Sequence, residues 1–136
     1  MPKGQVVTGM FGNPYAERMA LEATYEDTAV ISRTQSVKGS DGFTRPQPSP
    51  VYSGIICALS SGSDSSRQTD AQQNLRYDRK LFVQPDKEVR PGDTVTVSRF
   101  GRFLDPSPSV QKFEAVGEPL LYQTHREVFL KAVSLA

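Results

Sequence analysis

A chain of 136 residues and 15.0 kDa has room for one domain, or one domain with an arm. Its hydrophobic content of 37% is low, but it is concentrated in short runs that can build a small core. Sixteen basic and fifteen acidic residues leave a net charge of +1 with both signs spread along the chain. No segment therefore supplies the basic stripe that sequence-independent nucleic-acid binding needs, and only a folded surface could assemble one.

The single cysteine, Cys57, excludes an internal disulfide and a cysteine-based metal cluster. Within Ile55-Ile56-Cys57-Ala58-Leu59 it reads as a small buried hydrophobe. Met1-Pro2-Lys3-Gly4-Gln5 lacks the apolar core of a signal peptide, and no run approaches transmembrane length, so synthesis in the cytoplasm and no membrane partner are expected. Ten glycines and ten prolines indicate many turns and favour strands over helices.

Residues 1–20 contain Gly4, Gly9, Gly12 and Pro14 and keep no period, although Tyr15 to Glu22 could make two helical turns. Residues 1–23 read as an N-terminal arm that orders against a neighbour through Met10, Phe11, Tyr15 and Met19, or as a frayed terminus. Residues 24–136 then form the folded domain. Thr28 to Thr34 is a β-branched first strand. In the following stretch, Ser36 to Pro50, Asp41-Gly42 signals a turn. Pro46, Pro48 and Pro50 keep their segment extended but out of any central strand.

Val51 to Leu59 is the most apolar run. It leads into Ser60, Ser61, Gly62, Ser63, Asp64, Ser65, Ser66, Arg67, Gln68, Thr69, Asp70, Ala71, Gln72, Gln73 and Asn74, a stretch with one alanine and no larger apolar side chain. Such a segment cannot bury enough surface to offset the entropy of ordering, and loops this long inside a compact domain are functional or disordered. Leu75 to Val83 resumes the strand pattern, with Tyr77, Leu81 and Val83 sharing the parity of a core face.

Arg90-Pro91-Gly92-Asp93 has the proline and glycine of a type II turn. Thr94 to Phe100 alternates strictly, Val110 to Val116 is a further strand, and Thr124 to Val133 alternates better than it fits a helix. The expected fold is all-β, a small antiparallel β-barrel of about six strands with a long polar loop at 60–74 and a flexible N-terminal arm.

Catalytic signals are scarce. His125 is the one histidine, and G-x-S-x-G, P-loop, G-x-G-x-x-G and H-E-x-x-H patterns are all missing, so neither an enzyme nor a metal or other cofactor is expected. His125, at a strand entrance, reads as a surface or half-buried structural side chain. Asp86, Glu88 and Asp93, interleaved with Lys87 and Arg90, read as a solvated hairpin end. A single-strand-binding platform could form from Phe100, Phe103 and Phe113 with Arg99 and Arg102. Strand parity would also place these aromatics in the core, and with acidic and basic residues in balance the core is the preferred reading.

The order of parts resembles the head-closure (stopper) proteins of the head-to-tail connector in long-tailed bacteriophages. The resemblance is carried by an early strand at Asp27–Arg33, the apolar strand Val51–Leu59 entering a long polar loop, and a tyrosine-containing strand ending near Pro85-Asp86. It continues through Gly92-Asp93-Thr94-Val95, in the pattern G-D-x-V, a strand at Phe113–Gly117, Pro119 and a closing strand. It spans residues 24–133 and is one of pattern and loop placement. Residues 1–20 and the insert Arg45–Pro50 are longer than the compact members need.

The resemblance implies a virion assembly protein without catalysis. Several copies, six or twelve, would form an annulus below the portal or adaptor protein, close the DNA channel after packaging and dock the tail terminator or tail protein. DNA would be cargo only. By position, the plug is Ser60 to Asn74, whose fifteen residues reach at most about 25 Å when folded back. The competing classes are a nucleic-acid-binding small barrel and a tail or baseplate barrel component.

Overall fold

The computed structural model describes residues 14–60 and 76–133. Helix α1 (Pro14–Ala23) is followed by strands β1 (Asp27–Lys38), β2 (Thr44–Leu59), β3 (Arg79–Val83), β4 (Thr94–Arg99), β5 (Ser109–Ala115), β6 (Leu120–Leu121) and β7 (Arg126–Ala132). All the pairings are antiparallel. Strand β1 lies between β2 and β4, β5 joins β4 to β7, and β3 joins β7 back to β2. Six strands thus close into a ring, and the short β6 pairs with the start of β7 on the same edge that β5 takes further along. The all-β antiparallel expectation holds.

Period-two alternation fills the ring. Ala29 and Ile31, Ile55, Cys57 and Leu59, Leu81 and Val83, Val95 and Val97, Phe113 and Ala115, and Val128 and Leu130 point inward and, with Val89, form one buried cluster. Cys57 lies in this cluster as expected, and burial followed by the nearby Asp27 carboxylate pushes its thiol above its ordinary value. Tyr77 is buried too, but not on the core side as its parity predicts. It precedes β3, where strand alternation does not yet apply, and its ring packs 5.0 Å from that of Phe129 on the outer face of β7.

The Arg90–Asp93 turn forms as read. The Asp93 N–H donates to Arg90 O at 3.0 Å, and Gly92 takes a φ of 92°, which L side chains rarely adopt. Asp93 itself is not solvated. It is 2% exposed and accepts a bidentate pair from Arg33 Nε (2.9 Å) and Nη2 (2.8 Å), together with the Arg90 N–H (2.9 Å). Asp86 and Glu88 stay at the surface in ion pairs with Arg18 and Arg90.

Beyond Ser32, β1 and β2 leave the ring as a two-stranded hairpin. The β1–β4 ladder stops at Ser32, whereas the β1–β2 ladder runs on from Arg33–Ser49 to Lys38–Thr44. These six residue pairs carry the hairpin about 20 Å outward. Two register shifts near its base, both adding a residue to β2, accompany a φ of 68° at Gly54 and bend the hairpin relative to the ring. Pro46, Pro48 and Pro50 oppose Ser36, Thr34 and Ser32. Lacking N–H groups, they must occupy the non-hydrogen-bonded positions, in phase with the Gly39 N–H to Phe43 O bond (2.8 Å) at the turn. The prolines therefore lie in a strand, as part of its outer edge and not between two neighbours. The sequence reads this region as a turn-rich connection because proline masks a ladder that uses alternate residues alone.

Helix α1 spans the two turns expected from Tyr15 to Glu22 and is tied to the domain. Gln84 Nε2 donates to Glu22 Oε1 (3.2 Å), Arg18 Nη2 donates to Asp86 Oδ1 (3.0 Å), and Arg102 Nη1 donates to the carbonyls of Glu22 (2.9 Å) and Tyr25 (2.8 Å). The last contacts satisfy helix-end acceptors and place a cation where the helix dipole favours one.

Tyr25, 2% exposed, anchors the chain after the helix, but its hydroxyl has no hydrogen-bond partner among the described residues. Burial, then the nearby Glu22 charge, pushes its pKa from 10.0 to about 12. Because the unfolded chain releases this proton first, the tyrosine's contribution to stability falls as pH rises from about 10 to about 12, at up to roughly 1.4 kcal/mol per pH unit. Tyr25→Phe is expected to equal or exceed the wild type at neutral pH by up to about 1 kcal/mol and to lose less stability in that alkaline window. Urea titrations at pH 7 and 11 check both; a variant as alkali-sensitive as the wild type refutes the assignment.

Candidate functional site

One pole of the ring gathers the root of the polar loop, the end of β4 and the start of β1. Asp27, 4% exposed, organises it. The Leu59 N–H donates to Asp27 Oδ2 (2.9 Å), the Phe100 N–H donates to Asp27 Oδ1 (2.8 Å), and Arg99 Nε lies 3.6 Å from Oδ1. A single carboxylate thus ties together the ends of three strands.

Ser60, the first residue of the expected plug, extends the ladder beyond β2. Its N–H donates to Lys80 O (2.9 Å), its Oγ accepts from the Lys80 N–H (2.8 Å), and its carbonyl accepts from Arg79 Nη1 (2.9 Å). The returning chain is held as firmly. The Asp78 N–H donates to Leu130 O (2.8 Å), and Asp78 Oδ2 accepts from the Ala132 N–H (2.7 Å). Ser61 to Asn74 lie outside the described residues, so the structure places the roots of this loop at the pole and describes no more of it.

Beside the root, residues 100–104 form an apolar knob. The N–H groups of Phe103 (3.0 Å) and Leu104 (2.9 Å) both donate to Phe100 O, and Phe103 is 66% exposed with Leu104 and Phe100 also at the surface. Gly101 is required here, because a Cβ would sit 2.4 Å from Thr28 Oγ1 and 3.0 Å from Ser98 O. Phe100 adopts a φ of 57°, a left-handed conformation unusual for a bulky side chain.

The five residues of the single-strand-binding reading separate here. Phe113 is in the core, and Phe100 and Phe103 are outside it. Arg99 also donates through Nη1 to Leu59 O (3.2 Å), and Arg102 is engaged with the helix-end carbonyls. Both guanidinium groups hold the fold together, although each lies over the neighbouring phenylalanine ring, at 5.3 Å and 5.5 Å.

His125 is half-buried and bonded on both ring nitrogens. Nδ1 lies 3.0 Å from Thr124 Oγ1 and Nε2 lies 2.9 Å from Glu127 Oε2, with the Tyr122 ring stacked at 4.7 Å. This matches the structural role read from its position. No group of three or more His, Cys, Asp or Glu side chains is placed to hold a metal ion among the described residues. Within the same residues, no helix is long and apolar enough to cross a membrane.

Of the expected docking residues, Tyr15 and Met19 lie four apart on α1 and are exposed, whereas Met10 and Phe11 lie outside the described residues. Near them, Arg18, Pro85, Asp86, Leu121, Tyr122 and Gln123 line an open groove of about 500 Å³. Leu121 and Tyr122 are exposed at its wall. This groove has no signal in the sequence, since it arises where a helix and a two-residue strand meet in space.

Two substitutions test the pole. Asp27→Ala is expected to cost about 3 kcal/mol, because it orphans two N–H donors at roughly 1–3 kcal/mol each, and Asp27→Asn less. A loss below about 1 kcal/mol in denaturant titrations would remove Asp27 from its organising role. Phe100→Gly and Phe100→Ala both delete the ring, so their difference isolates the backbone. F100G is expected to be the more stable by about 1 kcal/mol. Equal stabilities would show that the left-handed conformation carries no strain.

No protein-family model matches the chain, and no curated protein matches it. Two solved structures do. One is protein SF1141 from Shigella flexneri 2a, at a TM-score of 0.62 and 12% identity over 82% of this chain and 96% of that one. The other is the phage-like element PBSX protein xkdH from Bacillus subtilis, at a TM-score of 0.44 and 12% identity over 77% of this chain and 91% of that one. The similarity to SF1141 is one of fold.

Proposed function

We propose that this chain is a structural assembly protein of the bacteriophage head-to-tail connector. Several copies, six or twelve, form an annulus below the portal or adaptor that closes the DNA channel and docks the tail. The observation that carries this reading is the anchoring of the polar segment. Ser60 and Asp78 are hydrogen-bonded into the sheet on either side of a stretch whose side chains have nothing to bury, at a pole that also presents exposed Phe103 and Leu104. A passive linker between the adjacent strands β2 and β3 needs far fewer residues, since antiparallel neighbours are joined by two to five. Ser, Gln and Asn can hydrogen-bond symmetry mates across a channel, and Arg67 as the one cation would not grip phosphate strongly, so the DNA can later pass.

In this reading Tyr15 and Met19, with Met10 and Phe11, dock a neighbouring annulus. Contacts between copies within one annulus are heterologous and close by rotation. The protein acts without catalysis or cofactor and works in the virion neck. The nucleic-acid-binding alternative has less support, because Arg99 and Arg102 are committed to internal partners and Phe113 is buried.

The test is deletion of Gly62 to Gln73 with a short joining turn. The domain is expected to stay folded, because closure entropy changes by only about 0.6 kcal/mol per halving of loop length. Particles assembled with the variant are expected to package DNA and then lose it before tails attach, measured as nuclease-sensitive DNA per particle. Variant particles that retain DNA as well as the wild type overturn the plug assignment.

A further inference from the structure

The projecting hairpin has two outer edges of opposite character. On the β2 side, Pro46, Pro48 and Pro50 place ring carbons where N–H groups would otherwise face outward. On the β1 side, the same phase turns the N–H and C=O groups of Thr34, Ser36 and Lys38 away from β2. No described residue pairs with them, since β4 ends its ladder at Ser32. Natural edges are guarded by proline, charge, bulges or cover. Here one edge carries three prolines, while the other offers three donors and three acceptors over about 13 Å.

We propose that this β1 edge pairs with the same edge of a second copy, in antiparallel register about a two-fold axis at Ser36. The window is bounded by Ser32, already paired with Thr94, and by the turn beginning at Gly39. Centring on Ser36 places Thr34 opposite Lys38 of the partner subunit and Ser36 opposite its own copy, so all six backbone groups of each chain are used. No like charges face each other in this register. A shift of one pair toward the ring drives Lys38 against the paired Ser32, and a shift the other way forfeits bonds. Head-to-tail pairing of a β1 edge on a β2 edge is excluded because the prolines have nothing to donate. The prolines also end the resulting four-stranded sheet on both sides, so pairing stops at two copies. The contact is smaller than a stable interface, and a weak dimer is expected. This inference does not depend on the connector reading.

Sedimentation velocity of the full chain from micromolar to millimolar concentration tests it. The wild type is expected to shift from monomer to dimer. Ser36→Pro, which copies the protection of the β2 edge at a position that makes no bond to β2, is expected to stay monomeric with an unchanged circular dichroism spectrum. Ser36→Lys and Ser36→Asp each set like charges at the axis and are expected to dimerise poorly. Their equimolar mixture should associate at least about tenfold more tightly than either alone. The charge pair keeps the test decisive should S36P fail to fold. A wild type that remains monomeric, an S36P that folds and dimerises like the wild type, or a mixture no tighter than its components overturns the proposal. The first result would leave the edge to a strand from a different protein.

Discussion

The buried carboxylate of Asp27 is the constraint on which the rest of the pole depends. A small closed sheet must satisfy the N–H groups where its strands end, and loops leaving a pole usually expose them to water. Here Asp27 accepts from Leu59 and Phe100, and with Arg99 beside it the cost of burying its charge is met by three partners. Because Leu59 precedes the polar stretch and Phe100 opens the apolar knob, one side chain fixes where the chain leaves β2 relative to where it leaves β4.

A second buried aspartate performs the corresponding task where the hairpin departs. Asp93 receives both prongs of the Arg33 guanidinium and the Arg90 N–H, joining the proline-glycine turn to the first residue of β1 beyond its ladder with β4. Beyond it, β1 has no partner but β2 among the described residues. The register shifts beside Gly54 then redirect the hairpin, and the prolines determine which of its edges can still form bonds. The result is a polar, solvent-facing ribbon with a fixed base and one open edge among the described residues.

The exposed surfaces of the described residues are of two chemistries. The knob at the loop root and the groove beside α1 expose aromatic and aliphatic side chains, as docking sites do when apolar atoms cluster. The hairpin presents backbone groups and short polar side chains, which recognise an extended strand through its main chain. A subunit with both kinds of surface can meet different neighbours without competition between them.

The sequence by itself determined the six strands of the ring, their inward-facing parity, the burial of Cys57, the Pro91-Gly92 turn, the exclusion of the alternate prolines from a central strand and the extent of the polar stretch. Each is a property of neighbouring residues: period-two alternation, the fixed φ of proline, the freedom of glycine, or a run with nothing to bury. The near root of the candidate plug, Ser60, lies at the limit of the apolar run before it, whereas the far side is anchored at Asp78, beyond the Leu75 where the sequence resumes its strand pattern. What only the tertiary structure decided rests on contacts between distant residues. Arg33 and Asp93 are sixty positions apart, and Asp27 and Phe100 seventy-three. Asp93 therefore reads as a solvated turn residue, and Arg99 and Arg102 as free cations, until the chain brings their partners to them. Tyr77 left the core face for the same reason, since the outer face of β7 that receives it exists only once the ring has closed. Alternation is inherited from the peptide unit, but register and the choice of partner are set by which buried polar groups can be satisfied together, and that is known only when the whole sheet is assembled.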